Sequence, residues 1–127
     1  MVKKAYDLET RDIDYAVVVI KLVGKLPKSY VGNHLGGQLL RSGSSPALHY
    51  GEAKAAESRS DFVHKMKICL KELRESYICL KIIHQSSLII DEAFLNEVMA
   101  ETNELISIFV KSIDTANKSK PTISIST

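Results

Sequence analysis

Apolar residues recur at helical spacing along almost the whole chain, and this pattern predicts four helices and no strand. The first helix is expected from about Asp7 or Thr10 to Leu26. Ile13, Val17, Ile20 and Val23 or Gly24 form one stripe on it, which Val18, Val19, Leu22 and Leu26 widen. That is more apolar surface than one neighbouring helix covers. Glu9, Asp12 and Asp14 crowd the first turns and Lys21 and Lys25 lie near the end, as the helix dipole favours. Pro27 is expected to close the helix, because a residue before proline disfavours helical geometry.

The second helix follows residues 28–32 and is expected to end near Ala56 or Glu57. The third starts with Ser60 as N-cap and Asp61 in its first turn. Phe62, Met66, Cys69, Leu73, Ser76, Leu80 and Ile83 alternate by four and three along it, the spacing of a bundle seam. The fourth begins after residues 86–91 and carries Leu95, Met99, Thr102, Ile106, Phe109 and Ile113. After Asn117 the run KSKPTISIST has no apolar face of helical period. The bundle domain is therefore expected over residues 5–117, with a flexible C-terminal tail over residues 118–127. Short loops between long helices make successive helices antiparallel, which gives an all-α, up-down-up-down four-helix bundle.

Residues 38–56, QLLRSGSSPALHYGEAKAA, break helix rules in mid-element. Pro46 cannot donate to the Ser42 carbonyl and its ring crowds that carbonyl, at a cost of about 3 kcal/mol in an unbent helix. Serine side chains at 42, 44 and 45 can bond freed carbonyls, and Gly43 allows a bend. The second helix is thus expected to be kinked around Ser45–Pro46, or split there. Gly36, Gly37, Gly43, Ala47, Gly51, Ala53, Ala55 and Ala56 let another backbone approach closely. Either this is the thin helix that accommodates the wide apolar face of the first, or the kink is a docking surface for another subunit.

Composition narrows the class. A chain of 127 residues with 45% apolar and 25% charged residues is an ordinary single globular domain. The formal charge of +2 exerts no strong pull toward nucleic acid. The longest apolar run, residues 16–20, is too short to span a bilayer. With no secretory leader pattern, a cytoplasmic protein without a membrane partner is expected. Cys69 and Cys79 lie about 15 Å apart along one helix, beyond disulfide reach, and read as reduced packing residues.

Antiparallel packing places residues opposite one another. Ser45 is expected to face Glu72, Arg41 to lie near Glu75 and Ser76, and Glu52 near Lys65. Between the third and fourth helices, Arg74 falls near Glu104 and Lys81 near Glu97.

The residues now carry a resemblance. The ordered string Pro27-Lys28, Gln38-Leu39-Leu40-Arg41-Ser42, Ser45-Pro46, Tyr50-Gly51-Glu52-Ala53, Ser58-Arg59-Ser60-Asp61-Phe62, Lys65-Met66-Lys67 and Leu70-Lys71-Glu72-Leu73-Arg74-Glu75 resembles the bacterial four helix bundle protein family. That family includes proteins encoded within intervening sequences of large-subunit ribosomal RNA genes, and the chain is also similar to the accessory variability proteins of diversity-generating retroelements. The match covers residues 5–117 and departs at His49, where relatives often carry Asn, and at Ile78-Cys79, where they often carry an aromatic pair. The resemblance implies a bundle that assembles into a ring-shaped homopentamer. For the retroelement relatives it also implies binding to nucleic acid and reverse transcriptase, and it implies no enzymatic activity.

The polar residues shared with the family are Gln38, Arg41, Ser42, Ser45, Glu52, Glu72 and Glu75. They read as a structural network that holds the second and third helices in register, a role in which losing one partner is damaging. The alternative, an acid and base pair, lacks a nucleophile, a glycine-rich phosphate cradle and a second catalytic group. No enzyme, cofactor or small-molecule substrate is therefore expected. A di-iron site needs Glu from two helices and Glu-x-x-His on the other two, whereas the chain offers His49-x-x-Glu52 and Asp61-x-x-His64. A zinc site near the turn after the second helix lacks a complete ligand set. His34 and His84 lie near loops and read as solvated.

Lys67, Lys71, Arg74 and Lys81 form one basic stripe on the third helix, and Glu97, Glu101 and Glu104 an acidic stripe on the fourth. Either the basic stripe binds phosphates or the two stripes neutralise each other. No aromatic is read as interleaved with the basic residues, so single-strand stacking has no support. Two function classes follow: a non-catalytic homo-oligomeric assembly or accessory module whose main partner is itself, and an RNA- or DNA-binding protein associated with intervening sequences or a retroelement.

Overall fold

The described residues form four helices: α1 (Leu8–Val23), α2 (Tyr30–Lys54), α3 (Arg59–Gln85) and α4 (Glu92–Ile125). This computed structural model describes residues 7–125, with side chains described to residue 118. Each helix starts where a short polar side chain can take up a free amide. Asp7 accepts from Thr10 N at 2.9 Å, Ser29 from Gly32 N at 3.1 Å, Ser58 from Asp61 N at 3.0 Å and Asp91 from Phe94 N at 3.2 Å. Ser58, not Ser60, therefore caps α3. Its extended backbone turns the hydroxyl toward the Asp61 amide, which starts the helix two residues early.

The helix ends are equally local. α1 stops at Val23 rather than Leu26: Lys25 N bonds Leu22 O and Leu26 N bonds Val23 O, tighter turns that carry the chain to Pro27. At the end of α3, Ser87 N bonds His84 O and Leu88 N bonds Ile83 O. This is a Schellman motif, and Ser87 occupies its left-handed position with φ 55°.

α2 is one helix of 25 residues that runs through Pro46, so it is not split there. Its antiparallel course beside α3 is set by two contacts: Ser42 meets Ser76, and Glu52, further along α2, meets Lys65, further back in α3. α1 packs chiefly on α2 and touches α4 along a shorter seam. Close approach of α1 and α2 depends on Gly43, where a Cβ would stand 2.9 Å from both Val19 methyls. Gly32 has less room still, since a Cβ there would lie 1.9 Å from Pro27 O.

The core is drawn from all four helices and includes Val19, Leu22, Leu39, Met66, Leu73, Leu80, Ile83, Leu95, Leu105 and Phe109. On α3 the buried positions follow the expected seam, with Phe62 half-buried at its start. On α1 the buried face is Asp12, Tyr15, Val19 and Leu22, and Leu26, just beyond its end, continues it. The stripe of Ile13, Val17 and Ile20 points the other way and is 50%, 43% and 54% exposed. α1 is apolar on two sides, and the bundle takes the side on which Tyr15 finds a buried hydrogen-bond partner. Helical geometry continues beyond Asn117, where the apolar pattern stops, to Ile125; residues 126–127 lie outside the described residues.

Candidate functional site

The middle of the bundle is a layer of buried hydroxyls. Ser42 Oγ of α2 lies 2.7 Å from Ser76 Oγ of α3, and Tyr15 Oη of α1 lies 2.7 Å from Thr102 Oγ1 of α4. Thr102 Oγ1 also donates to Val98 O at 2.7 Å. Burial pushes the Tyr15 phenol up to about 12, against the hydrogen bonding of Thr102 and Ser76. Such a layer fixes register, because sliding any helix would strand its hydroxyl in apolar surroundings. Ser76 and Thr102 are legible in the sequence as seam positions, whereas Tyr15 is not singled out there. The signal for it is the three-four alternation of Asp12, Tyr15, Val19, Leu22 and Leu26, a second seam beside that of Ile13.

One turn toward the N-terminus, Arg11 joins α1 to α4. Its Nε and Nη2 donate to the two oxygens of Glu101 at 2.8 and 2.9 Å, and Nη2 also donates to Glu104. The Arg11 and Glu101 side chains are only 11% and 14% exposed, and the Glu101 contact holds the guanidinium charged. Glu104 is therefore paired with Arg11 rather than Arg74, and Lys81 makes no ion pair with Glu97. Antiparallel register gave the height of these charges but not the side of each helix on which they point. Next to Arg11, Asp12 is fully buried and neither carboxylate oxygen has a hydrogen-bond partner. Burial pushes its carboxyl up to about 7, against the pull of Arg11.

Between α2 and α3, Arg41 Nη1 donates to Glu72 at 3.0 Å and Nη2 to Glu75. This cluster is open to solvent on the Arg41 side, so it orients the pair more than it stabilises it. Glu52 lies further along, 3.4 Å from Lys65 Nζ and 3.5 Å from His49 Nδ1, and the Lys65 contact holds its carboxyl below the usual range. Ser45 is buried but does not bond Glu72, and Gln38 is exposed and takes no part in either cluster. Among the described residues no three His, Cys, Asp or Glu side chains come together as a metal site. The thiols are free and turned into the core: Cys69 Sγ donates to Pro46 O and Cys79 Sγ to Leu35 O, each at 3.6 Å. Burial pushes the Cys69 thiol up to about 12.

Lys67, Lys71, Arg74 and Lys81 are all exposed, and none forms an ion pair with a described residue. Of the acids expected to neutralise them, Glu101 and Glu104 face Arg11 of α1 instead, and Glu97 is exposed. Contrary to the sequence reading, an aromatic does stand among them: the Tyr77 ring lies 5.8 Å from Lys81 Nζ. Beside Lys67, an open groove is lined by Arg59, Ser60, His64 and Asn117. Apolar side chains are exposed elsewhere, as the α1 stripe, as Leu40 and Leu48 on α2, and as Ile90 at the turn before α4.

The fold is an all-α bundle of four helices whose interior polar groups serve mainly one another, with its unpaired charge and apolar surplus on open faces. The chain belongs to the 23S rRNA-intervening sequence protein family, whose model matches residues 5–111. It is also similar to a solved structure from Bacteroides thetaiotaomicron VPI-5482, described as a protein with unknown function from the S23 ribosomal protein family. The two are 27% identical with a TM-score of 0.76, over 84% of this chain and 98% of that one. No significant match is found among curated proteins. No helix among the described residues is long and apolar enough to cross a membrane.

Proposed function

We propose that the protein is a non-catalytic, cytoplasmic assembly module that associates with copies of itself, as a ring-shaped homopentamer, and acts as an accessory factor through that assembly. The observation that carries this reading is the outward stripe of Ile13, Val17 and Ile20. Three branched apolar side chains in line on one helix face are an interaction surface rather than scattered exposure. Leu40 and Leu48 on α2 supply further apolar surface for a neighbouring copy. A bend of α2 at Ser45–Pro46 belongs to the same reading, since it would tilt Leu48 toward that copy. Light scattering tests it: the expected result is a multimer whose mass does not change on dilution, and a strict monomer would remove the proposal.

A second reading, binding of RNA or DNA associated with ribosomal RNA intervening sequences or a retroelement, is favoured by one observation. The basic stripe of Lys67, Lys71, Arg74 and Lys81 has no acidic partner among the described residues, so its charge is available to phosphates. Titration against structured RNA and duplex DNA at several salt concentrations tests it. Binding that weakens with salt and is lost in Lys67→Glu/Lys71→Glu supports this reading, and lack of binding at low salt ends it.

A further inference from the structure

Asp12 is the one described carboxylate that the fold encloses completely, and nothing bonds it. It occupies a core position of α1, one seam step from Tyr15, where a bundle ordinarily places an apolar residue. Its surroundings offer no uncommitted counter-charge. Arg11, its neighbour on α1, is engaged by Glu101 and Glu104 of α4. From α2 it is faced by the Tyr50 phenol, with Lys54 above that ring and bonded to Glu9. From α3 it is faced by the Cys69 thiol, and from α4 by Glu101, whose charge repels it. An ionised carboxylate in such a place has lost its water and gained no donor, so the folded core favours the neutral acid.

We propose that Asp12 is a proton-operated latch: the first turns of α1 stay seated against α2, α3 and α4 while its carboxyl is neutral, and open toward solvent when it ionises. The geometry favours α1 as the moving part. Asp12 lies within the first two turns, a short distance from the Asp7 cap, and α1 has the shorter seam with α4. Water reaches the carboxyl once those turns lift, without disturbing the Ser42–Ser76 contact between α2 and α3.

The sign follows from the two protonation equilibria. The carboxyl titrates near its ordinary value when α1 is open and about 7 when α1 is seated, so opening releases a proton. Opening is therefore rare at low pH, rises about tenfold per pH unit between about pH 4 and pH 7, and levels off above that window.

Amide hydrogen exchange of the full chain, corrected for intrinsic rates, tests this at about pH 5 and about pH 7. The expected result is a loss of protection of about fiftyfold in residues 8–15 of the wild type, with no comparable change in α3, and a flat response in Asp12→Asn. Equal protection at both pH values, or the same loss in Asp12→Asn, would overturn the proposal. A measurement on the wild type covers the case in which Asp12→Asn does not fold. With 13C-labelled aspartate, an Asp12 carboxyl midpoint above about 6 supports the latch, and one at or below about 6 refutes it.

Discussion

Tyr15 donates to Thr102. The two oxygens lie 2.7 Å apart, and the Thr102 hydroxyl proton is already committed to Val98 O, so the phenol must supply the other proton. The bond joins the first helix to the last in the middle of the core, and its direction predicts unequal costs for its two halves. Tyr15→Phe removes a donor and leaves Thr102 its bond to Val98, for about 1 kcal/mol. Thr102→Val deprives a buried phenol of its acceptor and is expected to cost more, about 2 kcal/mol. Urea unfolding followed by circular dichroism measures both. In the double variant the costs should fall short of additive, because the orphaned phenol is gone; a larger cost for Tyr15→Phe than for Thr102→Val would reverse the assignment.

Gly43→Ala opposes two effects. Alanine is better than glycine inside a helix by about 1 kcal/mol. The new methyl would stand 2.9 Å from both Val19 methyls, and overpacking of this kind costs about 1–3 kcal/mol. We expect net destabilisation, with part of it recovered by adding Val19→Ala. A thermal melt in which Gly43→Ala is more stable than wild type would show that α1 and α2 can part at this point without loss.

Ser87→Gly should raise stability. Ser87 takes a positive φ as the residue after the α3 cap, where a side chain is disfavoured and glycine is the usual occupant. Relief of that conformation, reduced by the extra freedom glycine gains in the unfolded chain, leaves about 0.5–1 kcal/mol. The predicted outcome is a higher urea midpoint at unchanged slope.

The helices and the α3 seam were legible because their apolar residues keep one period over many turns, and the family resemblance rested on the same stretch. α1 was harder to read. Its apolar residues satisfy two faces at once, and hydropathy alone favours Ile13, Val17 and Ile20 over a face interrupted by Asp12 and Tyr15. Only the partners on other helices decide between them: Thr102 for Tyr15, and Glu101 for the neighbouring Arg11. The Arg41–Glu75 contact can be placed from register because that carboxylate lies on the α3 side facing α2, whereas Glu72, expected opposite Ser45, bonds Arg41 instead. Register wrongly puts Arg74 opposite Glu104, which pairs with Arg11, since register says nothing about rotation around a helix axis. The burial of Asp12 is not legible in the sequence, because an acidic residue near a helix start already suits the helix dipole.

In the proposed function the chain works as an assembly joined through the outer face of α1. The most direct test is the mass in solution of the wild type and of Val17→Glu, measured by light scattering at the same concentrations. Val17 is 43% exposed in the single chain, so a charge there leaves the bundle intact, as unchanged circular dichroism would verify. The prediction is a dilution-stable multimer for the wild type and a folded monomer for Val17→Glu. A monomeric wild type, or a Val17→Glu multimer of unchanged mass, would contradict it.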